Sequence, residues 1–221
     1  MMLWAYLDES GVHDPSSGHL RRLLVAGGIS SSESWKALSV EWRAVLSASN
    51  IPMFHMKDFE ARKGCFAQWP EERRRDLLNS LLDIALRYVP AFWGVADPPL
   101  APGAQGLFKR SYITDAAKTV SEMGVLSSLT NLPITLILAR HRDIRPSLMN
   151  RLCERTNVQF GAFDDPITCC PLQVADIVAY EFSRALRTNK PVRERYPLSR
   201  LKTARSGCLL ANACILRYET L

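Results

Sequence analysis

The first residues of this sequence that could do chemistry are two neighbouring carboxylates, Asp8 and Glu9. They follow the apolar run 3–7 and precede Ser10 and Gly11, a pair that favours a turn. Side chains alternate across a strand, so both carboxylates can face one site only if the strand ends there. Because open α/β sheets bind ligands at the carboxyl ends of their strands, the pair is well placed for a metal ion. The alternative is that Asp8 caps the turn and Glu9 is solvated.

A second candidate carboxylate lies near the carboxyl end of the sequence, on a predicted closing helix at 172–187. Polar residues three or four positions apart share one face of that helix: Gln173, Asp176, Tyr180, Arg184 and Arg187. Asp176 stands in an otherwise apolar stretch, where a buried carboxylate is costly unless it is paired or bound to a cation. It therefore needs a partner, and a structural hydrogen bond to a loop would also serve.

Basic residues are concentrated in the last third of the chain, where the formal net charge of +6 arises. Residues 1–139 carry 14 Lys and Arg against 14 Asp and Glu, whereas residues 140–221 carry 14 against 8. Arg193 and Arg195 belong to a basic segment interleaved with Tyr196 that could follow a phosphate backbone. With Arg184, they are the candidate nucleic-acid contacts. The alternative for this segment is a solvated surface coil.

The composition is that of a globular protein and excludes several classes. Of 221 residues, 47% are hydrophobic and 23% are charged, which excludes disorder, collagen and coiled coil. No apolar run reaches the roughly 18 residues that a membrane span requires, and the first apolar run meets Asp8 too early for a signal peptide. The six cysteines form no C-x-x-C pair typical of zinc sites. We expect a cytoplasmic protein with a single domain over 1–221 and a basic extension from about residue 188.

The apolar patterns predict alternating strands and helices. The apolar runs at 3–7 and 23–29 predict two short strands that form a hairpin. The capping-box spacing from Ser30 to Glu33 predicts the start of a helix. The remaining predicted elements, in order, are a helix opened by Pro70, a strand at 91–96, a helix at 107–123, a strand at 134–139, a helix from Pro146, a strand at 158–163 and the closing helix. This order predicts an α/β fold with a mixed sheet of about five strands and an antiparallel start.

Together, the two acidic motifs resemble those of a known family. The segments 6–11 (YLDESG) and 172–180 (LQVADIVAY) are similar to the DE pair and the Q-x-x-D motif of the bacterial and archaeal family called domain of unknown function 3800 (DUF3800). The similarity spans most of the chain, with matching length and motif separation.

The resemblance implies a ribonuclease H-like fold and a metal-dependent nuclease. In that fold, acidic residues from the first strand, a central strand and a late helix gather two divalent metals for phosphodiester hydrolysis. Asp8 would be the central ligand, Glu9 would be a second ligand or orient a water, and Asp176 would be the ligand from the helix. Gln173 would hold a metal-bound water or a phosphate oxygen. Carboxylate and water ligands favour Mg²⁺ or Mn²⁺ over zinc.

The sequence departs from the family's pattern at several positions. The central strand at 134–139 is not followed at once by a carboxylate, and His141 and Asp143 are the candidates to replace it. Met53 stands where relatives often carry an acidic residue two positions before a histidine. His55 would then support the site, unless it is a satisfied core histidine. The remaining accessory candidates are Ser10 and Asp165, the latter from the Asp164-Asp165 pair where the family tends to have Asp-Ser-Lys.

Two functions of different classes follow. The leading hypothesis is a nuclease that hydrolyses phosphodiester bonds by a two-metal carboxylate mechanism, with DNA or RNA as its partner. The alternative is a non-catalytic nucleic-acid-binding or protein-interaction module with a degenerate site, which the departures from the pattern favour. A homodimer is compatible with either. A serine hydrolase is disfavoured because the sequence has no G-x-S-x-G motif.

Overall fold

The computed structural model describes residues 2–13, 20–96, 108–140, 145–154 and 156–188. The strands are β1 (Leu3–His13), β2 (Leu20–Ser31), β3 (Ala91–Ala96), β4 (Ile134–Ala139) and β5 (Val158–Asp164). The helices are α1 (Ser32–Ala48), α2 (Met56–Glu60), α3 (Glu71–Tyr88), α4 (Phe108–Thr130), α5 (Pro146–Cys153) and α6 (Cys170–Thr188), with a short 3-10 turn at Gly64–Phe66. The basic extension predicted from about residue 188 lies outside the described residues.

The five strands form one mixed sheet in the order β3-β2-β1-β4-β5. β2 is antiparallel to both β1 and β3, whereas β4 runs parallel to β1 and β5 runs parallel to β4. Helices cover both faces. The prediction of a mixed sheet of about five strands with an antiparallel start, flanked by helices, is therefore confirmed.

Each face of the sheet carries its own apolar core. On the first face, α1, α3 and α6 pack around fully buried residues such as Trp42 and Leu81. On the second face, apolar residues of β1 and β4 pack with α4 and α5, around Met123 and Met149. The two faces are distinguished along β1, because Tyr6 packs against the first core and Leu7 belongs to the second. This alternation fixes which residues of β1 can reach α6.

Local signals explain most element boundaries. Ser31 caps α1 by accepting a hydrogen bond from the Ser34 backbone N–H at 3.2 Å, one residue later than the capping box predicted from the sequence. Pro70 is the cap residue of α3, and two glutamates follow in its first turn. The short helix α2 was not predicted, since five residues are too few to show a helical period.

α6 packs across β1 and β2, and a glycine allows it to come close. A Cβ atom on Gly27 would lie 1.9 Å from the Tyr6 carbonyl oxygen and 3.0 Å from the Ala175 Cβ. A larger residue there would push α6 away from the sheet. Among the described helices, none combines the length and apolarity that a membrane crossing requires.

Candidate functional site

Asp8 of β1 and Asp176 of α6 form the centre of the candidate site. Asp8 shares the face of β1 that α6 covers, since it pairs with Ala26, a residue of the first core. Burial, and then the neighbouring charge of Asp176, raise the pKa of Asp8 to about 7. Burial also raises the pKa of Asp176, whose side chain is 14% exposed. The structure thus brings together two carboxylates that come from opposite ends of the described chain.

Asp176 also has a structural role. Its Oδ2 accepts a hydrogen bond of 2.6 Å from the Met56 backbone N–H, at the first residue of α2. The loop hydrogen bond considered as an alternative for this aspartate is therefore present. It engages one carboxylate oxygen, and Oδ1 faces the imidazole of His55, with Nε2 at 3.9 Å.

His55 lies between two carboxylates. Its Nδ1 is 2.9 Å from Asp58 Oδ2, and its Nε2 points towards Asp176. The side chain is 39% exposed, so the alternative of a buried core histidine is wrong, although its neighbours Phe54 and Met56 are buried. When Nδ1 donates to Asp58, Nε2 keeps its lone pair and can accept a proton or ligate a metal. Asp58 was not among the predicted site residues, because only the fold of α2 brings it back to His55.

Glu9 does not share the face of Asp8, which corrects a sequence expectation. β1 does not turn at Ser10 and Gly11 but continues to His13 in regular pairing with β2 as far as Val12. Glu9 pairs with Val25, a residue of the second core, so the strand pleat places it on the opposite face from Asp8. Ser10 shares the Asp8 face, two positions further along the strand. A joint Asp8–Glu9 ligand pair would require the turn that this chain does not make.

Gln173 is part of the protein's internal packing. It is 1% exposed, and its Oε1 accepts hydrogen bonds from Trp42 Nε1 at 2.9 Å and from the Phe54 backbone N–H at 3.1 Å. Its Nε2 donates to the Pro166 carbonyl at 2.8 Å. The amide thus joins α6 to α1 and to the segments before α2 and α6. With its oxygen engaged by two donors, it is not placed to hold a metal-bound water or a phosphate oxygen as expected.

The carboxyl end of β5 places Asp164, rather than Asp165, on the Asp8 face. Asp164 pairs with Ala139 of β4. The residues just before them form a row across three strands, because Phe163 pairs with Leu138 and Leu138 pairs with Leu7. Asp8 and Asp164 are therefore in one row across the sheet, two strand spacings or about 10 Å apart. Asp165 instead accepts a hydrogen bond from the Ile167 backbone N–H at 2.9 Å and shapes the turn before α6.

The remaining predicted residues have different positions. Arg184 donates to Glu60 Oε2 at 2.8 Å and joins α6 to α2, so its role towards nucleic acid stays a prediction. Glu181, one turn earlier, is 1% exposed, and burial followed by the charge of Glu60 raises its pKa to about 8. The other predicted site residues lie outside the described residues: His141, Asp143, Arg193 and Arg195.

The donor chemistry of the site suits a magnesium-type cation. Asp8 and Asp176 supply carboxylate oxygens, and burial raises the pKa of both groups. Within the described ranges, no group of three or more His, Cys, Asp or Glu side chains is arranged to hold a metal ion. Mg²⁺ is commonly bound by one or two carboxylates, with waters and substrate phosphates completing its shell. Two carboxylates therefore fit that mode, and they do not fit a closed structural site.

Comparison with known proteins finds similarity among solved structures. No family model matches this chain, and no curated protein matches it. The structure is similar to that of ribonuclease H2 from Pyrococcus horikoshii OT3, at 12% identity and a TM-score of 0.37, covering 91% of this chain and 84% of that one. It is also similar to a chain of the PCNA:RNase HII complex from Archaeoglobus fulgidus, at 12% identity and a TM-score of 0.34, covering 90% of this chain and 86% of that one.

Proposed function

We propose that this protein is a Mg²⁺- or Mn²⁺-dependent nuclease whose metal is held by Asp8 and Asp176. The observation that carries the proposal is the meeting of these two carboxylates, with pKa values raised by burial and, for Asp8, by like charge. Such a pair is costly to keep ionised without a cation. The resemblance to DUF3800 supports the same assignment through the DE and Q-x-x-D motifs, and membership of that family is part of the proposal.

The protein's own residues would hold the metal and accept one proton. A divalent ion bound there would activate a water and neutralise charge on a phosphodiester. Asp58 fixes the orientation of His55 through Nδ1, which leaves Nε2 facing the carboxylate pair. His55 is thus placed to take a proton at Nε2 from a nucleophilic water. The two-ion mechanism was expected to use Glu9 as a second ligand. Because Glu9 lies on the opposite face of the sheet, the second ion remains a prediction.

Metal-dependent cleavage by matched variants tests the proposal. Labelled DNA and RNA oligonucleotides would be incubated with Mn²⁺ and the wild-type protein, the Asp8→Asn variant or the Asp76→Asn variant. Asp76 is an exposed residue of α3 and serves as the control. We expect Asp8→Asn to lower the cleavage rate by about a thousandfold or more, because metal catalysis supplies several kcal/mol. Asp8→Asn also removes a buried charge, so the fold should survive. Full activity of Asp8→Asn would contradict the assignment.

The second candidate function is a nucleic-acid-binding module without catalysis. The observation that favours it is that no group of three or more His, Cys, Asp or Glu side chains among the described residues is arranged to hold a metal ion. A module of this kind would show no rise in melting temperature with Mg²⁺ or Mn²⁺, whereas a metal site must stabilise the folded state. Oligonucleotide binding with neither cleavage nor metal-linked stabilisation would support this reading.

A further inference from the structure

A cavity with a volume of about 630 Å³ lies beside the carboxylate pair, between β1, α1 and the amino end of α6. Its aromatic wall consists of Trp4, Tyr6 and Trp35. The rings of Trp4 and Tyr6 are stacked with centroids 6.2 Å apart, and Tyr6 meets Trp35 edge-on at 5.0 Å. Trp35 Nε1 also donates to the Trp4 carbonyl at 2.9 Å. The wall is therefore held in place before any ligand enters.

The charges around the cavity are unevenly distributed. Two exposed basic residues of α1, Lys36 and Arg43, line one side. Lys36 lies near the opposite charge of Glu33 on the same helix. Arg43 forms no ion pair with another described residue, and its guanidinium instead approaches the Cys170 thiol. Asp164 lines the cavity from the end of β5. A ligand that matches these charges is anionic on the α1 side and carries a hydrogen-bond donor on the β5 side.

A nucleotide has this combination of groups. Its phosphate suits the guanidinium of Arg43, its base presents a flat face to aromatic side chains, and an amino group on a base edge can donate to a carboxylate such as Asp164. The cavity volume is within the usual range for small-molecule sites, about 300–1,000 Å³. A base in a duplex is stacked and paired, so a concave pocket can accept only an unpaired or flipped one.

The cavity and the proposed metal site are neighbours along one strand. Tyr6 and Asp8 point to the same face of β1, two residues or about 7 Å apart. We propose that this cavity binds an unpaired nucleotide flanking the bond to be cut, and that the substrate is single-stranded nucleic acid. The inference rests on the proposed function for the cut itself, while the binding of the flanking nucleotide depends on the cavity alone.

Binding measured in a chelator separates the cavity from catalysis. Fluorescence anisotropy would compare a labelled single-stranded oligodeoxycytidylate, its RNA equivalent and the duplex of the DNA with its complement, all in EDTA. The variants are Arg43→Glu and Arg43→Ala. The control is Arg75→Glu, which changes an exposed arginine of α3 that does not line the cavity. Arg43 and Arg75 are both on the surface, so neither reversal should unfold the protein.

We expect the wild-type protein to bind DNA or RNA single strands at least about tenfold more tightly than the duplex. Arg43→Glu should weaken single-strand binding about tenfold or more, and Arg43→Ala should reduce the slope of log affinity against log salt by about 1. Arg75→Glu should change affinity by less than about twofold. Equal losses in Arg43→Glu and Arg75→Glu, or duplex binding as tight as single-strand binding, would overturn the proposal.

The two proposals fail in distinguishable ways. If the cavity variants lose single-strand binding but the wild type never cleaves with Mn²⁺, the proposed nuclease function is wrong and the binding site stands. If Asp8-dependent cleavage is found and Arg43→Glu neither weakens binding nor changes the preferred substrate, the nucleotide site is wrong and the nuclease function stands.

Discussion

Asp8 of β1 and Asp176 of α6 lie close enough to interact electrostatically, and the charge of Asp176 adds to burial in raising the pKa of Asp8 to about 7. Asp176 is held in place, because its Oδ2 accepts the Met56 backbone N–H at 2.6 Å. The pair is thus fixed by the packing of α6 and α2. A cation between the two carboxylates would remove the repulsion that the fold maintains.

Without divalent metal, the stability contribution of this pair should fall as pH rises. The pKa of Asp8 is about 7 in the folded state and 3.8 in the unfolded reference, so the folded state binds more protons between these values. The stability that this pKa shift contributes is fully present below the lower pKa and is lost as pH rises through the higher one. In EDTA, we expect wild-type protein to melt at a lower temperature near pH 8 than near pH 5, and Asp8→Asn to show a weaker dependence.

Metal should reverse this loss. Mg²⁺ or Mn²⁺ binds the ionised carboxylates, so it should raise the melting temperature more near pH 8 than near pH 5. Thermal melts of wild type, Asp8→Asn and the control Asp76→Asn, each with and without metal, measure the effect. A metal-linked shift that survives in Asp8→Asn would place the ion elsewhere.

Gln173 should matter for stability. Replacing it with Ala leaves the buried Trp42 indole N–H and Phe54 backbone N–H without their acceptor. Each unsatisfied donor costs about 1–3 kcal/mol, so we expect a loss of about 2–6 kcal/mol in the free energy of unfolding, measured with urea. The control Gln68→Ala changes an exposed residue and should cost less than about 0.5 kcal/mol. Lost cleavage with unchanged stability in Gln173→Ala would indicate a role at the metal instead.

Asp58 should act as a positioning residue for His55. Asp58→Asn removes the carboxylate that lies 2.9 Å from His55 Nδ1, so the imidazole loses the partner that orients it. We expect a decrease of about 10–100-fold in the cleavage rate, measured at saturating metal. His55→Ala should show the same loss without further effect of Asp58→Asn. Additive losses in the double variant would show that the two residues act separately.

Glu181 offers a test of a buried carboxyl group away from the metal pair. Burial, followed by the charge of Glu60, raises its pKa to about 8, while Arg184 lowers it. The wild type should therefore lose stability as pH rises through about 8. Glu181→Gln, which cannot ionise, should melt higher than wild type near pH 9 and similarly near pH 6. An equal difference at both values would mean that the carboxyl does not titrate in this range.

The strands and helices were largely predictable from the sequence because their apolar periods are strong. The run Ile134–Ala139 lies between Pro133 and charged residues, and β4 has those bounds. β3 also has the predicted bounds, Ala91–Ala96. The predicted turn at Ser10 and Gly11 is wrong, because the ladder with β2 continues through both residues. Turn propensity is local, and cross-strand pairing outweighed it here.

The site was predictable only in part, since its geometry depends on tertiary contacts. The apolar surroundings of Asp176 indicated a need for a partner, and the structure supplies Met56, His55 and Asp8 around it. Helical spacing placed Gln173 on the same polar stripe, but it could not show that α1 covers that end of the helix. Asp164 could have been found from the rule that sites lie at the carboxyl ends of parallel strands, because it is the last residue of β5.

The most direct test of the metal assignment is anomalous diffraction from a crystal of the full chain soaked in Mn²⁺. We expect an anomalous peak within ligand distance of both Asp8 and Asp176, and the same experiment counts the ions. The peak should disappear in Asp8→Asn crystals. Clear density for both carboxylates with no anomalous peak between them would contradict the assignment and favour the binding module.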